Sequence, residues 1–434
     1  MVGLGKIGLP LAVQYAGRGH QVVGVDTDPG VVTSVTAARV PFPGEAELPE
    51  RLAAAVAART LRASGDTASA VADSDAVVVV VPLYVDAAAR PDFSAIDAAT
   101  AAVARGLRPG TVVLYETTLP VGTTRSRLAP ALSVGSGVEL DDLLLAFSPE
   151  RVFSGRIFAD LRRYPKLVGG LNRESARRAV AFYDAVLEFD PRSDLERPNG
   201  VWDLGSAEAA ELAKLAETTY RDVNIALANQ FTRYADGLGV DVHGVIEACN
   251  SQPFSHIHRP GIAVGGHCIP VYPRLYLWND PEATVVSAAR ATNEAMPGWA
   301  VDVLAREHGD LAGQRVVVLG AAYRGGVKET AFSGVFGVVD ALRAHGAVAL
   351  VHDPLFDAAE LVALGLSPYV LGEEADALVV QADHDEYRKL RAGDVPGART
   401  VVDGRRILEV DHWPGVRVKV LGEPLSPEPR PVRS

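Results

Sequence analysis

The segment Gly265-Gly266-His267-Cys268-Ile269-Pro270 contains the residue type best suited to covalent chemistry. Two glycines would let a substrate approach the backbone, and a cysteine thiol is small, nucleophilic and able to bond to an aldehyde carbon. We therefore identify Cys268 as the candidate nucleophile. A lone cysteine is more often a packed small hydrophobic residue, which is the interpretation we prefer for Cys249 and an open alternative for Cys268.

Two charged residues are candidates for proton transfer and charge stabilisation. Glu150 lies just beyond a predicted strand and could act as a general base if partial burial raises its pKa toward neutrality; a surface ion pair with Arg151 is the alternative. Lys214 lies on an otherwise apolar side of a long predicted helix and could stabilise an oxyanion. Its alternative is a lysine that extends along a solvated face.

The segment Tyr115–Thr124 follows a predicted strand and offers hydroxyl groups and backbone amides where a parallel sheet opens to a ligand. Thr118 could hydrogen-bond a cofactor or a substrate there. The alternative is that these residues form an N-capping cluster for the next helix.

The opening motif Gly3-Leu4-Gly5-Lys6-Ile7-Gly8 fits the dinucleotide fingerprint, in which glycines permit a tight turn and let a pyrophosphate approach a helix N-terminus. A predicted helix and strand follow, and Asp26 lies where a carboxylate can accept hydrogen bonds from a ribose. NAD is favoured because Asp26 would repel a 2'-phosphate; a glycine-rich turn without a ligand is the alternative. The predicted cofactor-binding residues are Gly3, Gly5, Lys6, Ile7, Gly8, Asp26 and Thr118.

Only Met1 and Val2 precede Gly3, so we expect a first strand too short to complete a central position in a sheet. The start of the natural chain is accordingly expected to lie further upstream.

Arginines follow two predicted strands near the C-terminus. Arg324 precedes a pair of glycines, an arrangement suited to an anion such as phosphate, and Arg405 and Arg406 could add positive charge. Solvated surface arginines are the alternative.

These residues belong to a pattern of alternating valine-rich strands and alanine-rich helices, which predicts an α/β fold with two Rossmann-like, doubly wound parallel-sheet domains. A long amphipathic helix from about Ser206 predicts a central helical segment between them. The expected divisions are residues 1–200 for NAD binding, 201–308 for the helical segment, 309–425 for the second sheet domain, and 426–434 for a flexible tail.

The composition narrows the class of protein. A formal net charge of −12 argues against nucleic acid as a partner, and no apolar run reaches the roughly 18 residues that span a bilayer. Two cysteines cannot form the disulfide framework of a small secreted domain. We expect a soluble, cytoplasmic protein without a metal site.

In their order along the chain, GLGKIGLPLA, ETTLPVGTT, SPERV, PKLVGG, AELAKLAETTYRDVNIALAN, GGHCIP and LGAAYR resemble motifs of the UDP-glucose/GDP-mannose dehydrogenase family. The resemblance covers nearly the whole chain. The GGHCIP form is similar to the branch that acts on UDP-N-acetylhexosamines, so UDP-N-acetylglucosamine and UDP-N-acetylmannosamine are the leading expected substrates.

The resemblance implies oxidation of a C6 alcohol to a carboxylate with two NAD, in a pathway of polysaccharide biosynthesis. Cys268 would form a thiohemiacetal and then a thioester, Glu150 would assist hydrolysis, and Lys214 would stabilise oxyanions. The last domain would hold the UDP, and the central helix would form a homodimer interface. The implied catalytic residues are Cys268, Lys214, Glu150, Thr118 and Thr218, and the implied substrate-binding residues are Arg151, Asn224, Arg259, Gly265, Gly266, Arg324 and Arg405.

The chain departs from the family pattern at three places. Thr218 replaces an asparagine one helical turn after Lys214, and Tyr272 replaces an aspartate four residues after Cys268. In the last domain GGVKETAFSG replaces an acidic, arginine-containing run. Two alternatives therefore stay open: a two-electron oxidation of a secondary alcohol on a nucleotide or nucleotide sugar with Lys214 as acid/base, and a nucleotide-binding protein without catalysis.

Overall fold

The computed structural model describes residues 1–86, 89–153 and 155–424, so the predicted tail 426–434 lies outside the described residues. The chain forms two compact units. Residues 1–217 with 274–280 make the first unit, and the rest of the described chain makes the second. The predicted division at residues 200 and 308 stays a prediction.

The first unit contains both β-strands and α-helices. Its strands are β1 (Val22–Val25), β2 (Leu61–Ser64), β3 (Ala76–Val79), β4 (Tyr84–Val85), β5 (Pro91–Asp92), β6 (Val112–Tyr115), β7 (Leu144–Phe147), β8 (Lys166–Gly170) and β9 (Val201–Asp203). Its helices are α1 (Gly8–Gly17), α2 (Pro29–Thr36), α3 (Leu48–Ala57), α4 (Thr67–Ala72), α5 (Ser94–Gly106), α6 (Ala129–Ser136), α7 (Ile157–Arg163) and α8 (Arg173–Val186).

Five strands of this unit pair in the order β3-β6-β7-β8-β9, and β1 pairs with β2. Val2 joins the two groups because it bridges Val25 and Val79 in parallel, so the expectation that so short a strand cannot fill a central position is wrong. The backbone of Val2 bonds to Val78 and Val80 at 2.8 Å each. β8 runs antiparallel to β7, which the strand patterns did not indicate.

Successive residues of a strand point to opposite faces of this sheet, and both faces are apolar, so helices cover both of them. Val77 and Val113 pack in one buried cluster with residues of α5, whereas Val78 and Leu114 pack in another with residues of α1 and α8. The predicted doubly wound α/β class is thereby confirmed.

The 32-residue helix α9 (Ala207–Leu238) contains the boundary between the two units. It is followed by α10 (Val242–Asn250), α11 (Tyr272–Asn279), α12 (Thr284–Glu294) and α13 (Met296–His308). The last strands are β10 (Arg315–Leu319), β11 (Val348–His352), β12 (Ala377–Val380), β13 (Thr400–Asp403) and β14 (Arg417–Val420), with α14 (Gly334–Ala344) and α15 (Ala358–Ala363) between them.

The second sheet is parallel throughout, in the order β11-β10-β12-β13-β14. Its strand order reverses between β10 and β12, which is where the loops of an open parallel sheet usually leave a crevice. No helix in the described part of the chain is long and apolar enough to cross a membrane.

Candidate active site

The glycine-rich turn before α1 has the shape that a dinucleotide requires. Gly3 has a φ of +94°, and a Cβ at Gly8 would come within 2.0 Å of the Gly3 carbonyl oxygen, so neither position accepts a side chain. A Cβ at Gly5 would meet nothing within 4 Å, which leaves space beside the turn. Ile7 is the N-cap residue of α1, and Lys6 is exposed. The turn therefore presents backbone at a helix N-terminus, as pyrophosphate binding needs.

Asp26 follows β1 and faces the same turn. Its carboxylate accepts hydrogen bonds from the amides of Leu4 at 2.8 Å and Asp28 at 2.9 Å, and the residue stays partly exposed. A carboxylate has enough lone pairs to accept ribose hydroxyls as well. The glycine cradle and the oriented carboxylate thus fit NAD.

The loop that contains Thr118 is anchored by Glu211 of α9. Glu211 is fully buried and accepts hydrogen bonds from the Gly122 amide at 2.6 Å, the Thr124 amide at 2.9 Å and the Thr124 hydroxyl at 2.6 Å. Burial raises the pKa of Glu211 to about 7, although these hydrogen bonds oppose the rise. Thr118 is buried in this loop.

The N-capping alternative for this loop is wrong. The helical segment that follows has Thr123 as its N-cap residue, but the Thr123 hydroxyl donates to the Pro120 carbonyl and does not cap the helix. The amide of Thr124, the first residue of the segment, is instead bound by Glu211 of α9. The hydroxyl-rich sequence therefore shapes the loop and not the helix end.

Glu150 pairs with a lysine and not with Arg151. The Lys166 ammonium lies 2.9 Å from Glu150 and 2.8 Å from Glu116, and Tyr183 donates to Glu116 at 2.8 Å. Arg151 donates to Glu150 only through its backbone amide, at 2.7 Å, and its guanidinium binds Glu217 instead, so the ion pair suggested by the sequence is wrong. These contacts place Glu150 in a buried charged cluster.

The electrostatics of this cluster differ from the sequence expectation. Burial disfavours ionisation of Glu150, but the charge and hydrogen bond of Lys166 outweigh it, so the pKa of Glu150 is lowered and not raised. Burial raises the pKa of Glu116 to about 7 despite the charge of Lys166. The charges of Glu116 and Glu150 overcome the effect of burial on Lys166 and raise its pKa. Glu150 is consequently a carboxylate at neutral pH.

Lys214 is buried, with 8% of its surface exposed, so the solvated-face alternative is wrong. Thr218, one helical turn later in α9, is buried as well. A buried ammonium can interact more strongly with an anion than an exposed one, because water screens it less.

Cys268 is exposed, so the packed alternative for this thiol is wrong. Its sulfur lies 3.8 Å from the Tyr272 hydroxyl, and its carbonyl accepts the Tyr272 amide at 2.9 Å. Cys249 is exposed too, near the end of α10, so its interpretation as a packed residue is wrong.

The two glycines before Cys268 pack on a tyrosine. A Cβ at Gly265 would lie 2.5 Å from the Tyr323 Cβ, and Gly266 has a φ of +90° with the Tyr323 ring beside it. In the structure, therefore, the glycines allow Tyr323 to approach. Their predicted role toward substrate stays a prediction.

Three arginines line one cavity of about 950 Å³ in the second unit: Arg259, Arg405 and Arg406. Arg405 donates to the carbonyls of Gln381 at 2.5 Å and Tyr323 at 3.3 Å, and burial lowers its pKa against the charges of Asp383 and Asp403. A solvated surface role for Arg405 is therefore wrong. Arg406 is exposed and pairs with Glu423 at 2.6 Å.

The remaining predicted substrate residues have contacts within the chain. Arg151 bonds to both carboxylate oxygens of Glu217, at 2.9 and 3.2 Å. Asn224 binds the backbone of His256 at 2.7 Å and His258 at 2.9 Å, and so holds their loop to α9. Arg324 is exposed and follows β10.

Sequence reasoning missed Glu116, Lys166 and Glu211. Glu116 directly follows the apolar strand β6 and Lys166 begins β8, a signal that was available, whereas Glu211 lies among other charged residues of α9. The partners of all three are far away in sequence. Among the described residues no cluster of three or more His, Cys, Asp or Glu side chains could hold a metal.

Three family models match successive parts of the chain. They describe the NAD binding domain, the central domain and the UDP binding domain of the UDP-glucose/GDP-mannose dehydrogenase family, over residues 1–187, 208–295 and 317–410. The chain belongs to this family. As a member, it is an NAD-dependent nucleotide sugar dehydrogenase, and the glycine turn with Asp26 is its fit to NAD.

Relatives of this family match over nearly their whole length. UDP-N-acetyl-D-mannosamine dehydrogenase of Pyrococcus horikoshii is 34% identical, over 94% of this chain and 95% of the relative. The solved UDP-D-ManNAc dehydrogenase from Pyrococcus horikoshii has a TM-score of 0.85 at 31% identity, covering 97% of this chain and 98% of that one. An NDP-N-acetyl-D-galactosaminuronic acid dehydrogenase from Methanosarcina mazei has a TM-score of 0.83 at 28% identity, covering 98% and 94%.

Proposed function

We propose that this dehydrogenase oxidises a UDP-N-acetylhexosamine at C6 to the uronate through a covalent bond to Cys268, with UDP-N-acetyl-D-mannosamine as the leading substrate. The observation that carries the proposal is the 34% identity, over 94% of the chain, to a UDP-N-acetyl-D-mannosamine dehydrogenase. The exposed thiol of Cys268 supports the covalent step.

We propose that the arginine-lined cavity binds the diphosphate of the substrate. Arg259, Arg405 and Arg406 supply positive charge there, and guanidinium groups suit phosphate oxygens because they present several N–H donors in a plane. Hydrogen bonds hold Arg405 in place, so little of its side-chain freedom remains to be lost on binding.

NAD, when bound, supplies the hydride acceptor for both oxidations. In the proposed route the C6 hydroxyl loses a proton as the carbon is first oxidised, and the Cys268 sulfur then bonds to the aldehyde carbon to give a thiohemiacetal. A second oxidation converts this adduct to a thioester. One carboxylate formed therefore consumes two NAD and one water.

Hydrolysis needs a base and a cation. Glu150 is ionised because Lys166 lowers its pKa, so it can take a proton from the attacking water. The new C–O bond forms as the C–S bond breaks, and the departing thiolate of Cys268 takes the proton that the new carboxylic acid loses. We propose that the ammonium of Lys214 stabilises the oxyanions on this route, and that Thr118 and Thr218 support it by hydrogen bonding.

The experiment is to count NADH per molecule of substrate consumed. Purified enzyme with NAD should produce two NADH and a uronate from UDP-N-acetyl-D-mannosamine. UDP-N-acetylglucosamine, UDP-N-acetylgalactosamine, UDP-glucose and GDP-mannose form the comparison panel. One NADH per substrate would indicate the two-electron oxidation, and a preference for another sugar would correct the substrate.

The covalent step is tested separately with Cys268→Ala. Acid formation should fall by at least roughly 10³-fold because no thioester can form, while NAD affinity stays at the wild-type value. Cys249→Ala is the matched control, since it removes the other exposed thiol. A Cys268→Ala enzyme that still makes uronate at the wild-type rate would refute the step.

We propose further that the enzyme is a cytoplasmic homodimer whose copies meet along α9, making an anionic sugar nucleotide for polysaccharide assembly. Supporting residues are exposed apolar side chains on one side of this helix: Tyr220, Leu227, Phe231, Tyr234 and Leu238. Such a stripe on a helix is typical of an interface. Light scattering during gel filtration measures the mass, and Tyr234→Glu should shift it to that of one chain.

A further inference from the structure

The direction of β8 brings three charged residues to one edge of the first sheet. Glu116 follows β6 and Glu150 lies shortly after β7, both at the carboxyl ends of parallel strands. Because β8 is antiparallel to β7, its first residue, Lys166, lies at this same edge. Residues separated by 16 and 50 positions in sequence therefore meet.

Hydrogen bonds connect the members of this cluster. Lys166 lies between the two carboxylates, at 2.8 Å from Glu116 Oε2 and 2.9 Å from Glu150 Oε2. Glu116 Oε1 accepts the hydroxyls of Tyr183 at 2.8 Å and Tyr15 at 3.3 Å. The side chains of Lys166, Glu116 and Glu150 are 4%, 0% and 10% exposed, so water screens these charges little.

The cluster carries more negative than positive charge when both of its carboxyl groups are ionised. One ammonium with two ionised carboxylates leaves a net charge of −1 in a buried place, which is costly, and one added proton removes it. Glu116 is the more buried carboxyl and has a pKa of about 7, whereas the pKa of Glu150 is lowered. The added proton consequently resides on Glu116, and Glu150 remains a base.

A space the size of one water molecule borders this cluster. The cavity has a volume of about 10 Å³, and its lining includes Glu150, Arg151 and Lys166. A site of this size with several polar neighbours can hold one water. Glu150 thus faces both Lys166 and a position that can exchange protons.

We propose that Lys166 is the residue that positions Glu150 as a base, and that Lys166 and Glu116 together receive the proton that Glu150 takes up. The proposal rests on the role of Glu150 in the proposed function. Lys166 is a positioning residue because it acts through Glu150.

The proposed step moves protons only and involves no oxidation or reduction. Glu150 takes a proton from water as the hydroxyl oxygen bonds to the thioester carbon. When Glu116 is ionised, Lys166 gives one of its protons to Glu116 Oε2 and regains one from Glu150. The ammonium and the Glu150 carboxylate are thereby restored, and the only new O–H bond within the cluster is on Glu116.

The activity test measures kcat for NADH production against pH with NAD and UDP-N-acetyl-D-mannosamine. In Lys166→Met the buried Glu150 loses its cation, so the acidic limb of the profile should move up by about one pH unit or more, with a roughly 10-fold loss at neutral pH. Lys166→Arg, which keeps a cation, should restore the wild-type limb. KM and NAD affinity should stay within about twofold of wild type.

Glu116→Gln should lower kcat without moving the acidic limb of the pH profile upward, because the proton acceptor is lost while Lys166 still pairs with Glu150.

The matched control for Lys166→Met is Lys419→Met. Lys419 is another buried lysine, 3% exposed, and it pairs with Asp236 at 2.5 Å in the second unit. A general loss of a buried ion pair would affect Lys419→Met and Lys166→Met alike. Equal pH profiles for these two variants would overturn the proposal.

A second measurement does not depend on turnover. Infrared spectra recorded against pH should show carbonyl bands of buried carboxylic acids that disappear as the pH rises through about 7, and both Glu116 and Glu211 should contribute to them. The Glu116 component is the part of this signal that is lost in Glu116→Gln and retained in Lys419→Met. If wild-type enzyme oxidised no sugar nucleotide, the proposed function would fail while this component still reported the shared proton. Equal spectra for wild-type enzyme and Glu116→Gln would overturn the proton-holding role of Glu116.

Discussion

The two sheets carry an aspartate at equivalent strand ends, yet the two carboxylates have different surroundings. Asp26 follows β1, is partly exposed, and accepts one amide on each oxygen. Asp353 follows β11 and is 4% exposed. Its Oδ2 accepts the amides of Ala321 at 2.8 Å and Ala322 at 2.9 Å and lies 3.1 Å from His384 Nε2.

Topology alone therefore does not make a dinucleotide site. In the second sheet the Asp353 carboxylate accepts hydrogen bonds from the backbone amides of the turn after β10, and His384 also contacts this carboxylate. A Cβ at Gly325 would lie 2.2 Å from the Asp383 carbonyl oxygen, so this loop is tightly packed as well. The first sheet leaves space beside its turn at Gly5, which is why NAD fits there, and the arginine cavity is the site that we propose for the substrate phosphates.

The largest expected effect comes from closing the open turn. Gly8→Ala places a Cβ 2.0 Å from the Gly3 carbonyl oxygen and should weaken NAD binding by roughly 100-fold or more, measured by calorimetry. Gly17→Ala, in the same helix but with nothing within 4 Å of the added Cβ, is the control. Gly325→Ala should leave NAD affinity unchanged while lowering the melting temperature. Equal NAD affinity in Gly8→Ala and wild type would contradict the comparison.

Asp353→Asn should cost about 2 to 3 kcal/mol of unfolding free energy at neutral pH, because a buried amide cannot accept the same set of hydrogen bonds. Burial opposes ionisation of Asp353, but His384 and the backbone amides outweigh it and lower the pKa. A lowered folded-state pKa stabilises the protein above the unfolded pKa, and that contribution is lost as the pH falls through the folded value. Urea titrations should therefore show the difference narrowing below about pH 4. Asp340→Asn, on an exposed side chain, is the control and should change stability little.

The smallest effect is expected for the open carboxylate. Asp26→Asn should weaken NAD binding by roughly 10-fold and improve NADP relative to NAD, because the negative charge that repels a 2'-phosphate is removed. Stability should change less than in Asp353→Asn, since Asp26 is partly exposed. Asp28→Asn serves as the neighbouring control: Asp28 caps α2, and asparagine caps a helix equally well. An unchanged ratio of NADP to NAD affinity would exclude the role of Asp26 in selectivity.

Local patterns in the sequence were sufficient to predict the glycine turn, the buried strands and the long helix α9. Their determinants lie within a few residues of one another: Gly3 and Gly8 meet across one turn, and valine runs bury both faces of a strand. The expected family followed from motifs of the same local kind, and the family models confirmed it.

Partners far apart in sequence depended on the tertiary structure. The sequence identified Glu150 as a candidate base and offered an ion pair with Arg151 only as the alternative, whereas the antiparallel direction of β8 supplies Lys166 and thereby Glu116. Likewise the sequence could not tell an open carboxylate at Asp26 from a sealed one at Asp353, because burial depends on which loops pack above the strand ends. Periodicity reports which face of an element is apolar, and ionisation depends on what the folded chain brings next to it.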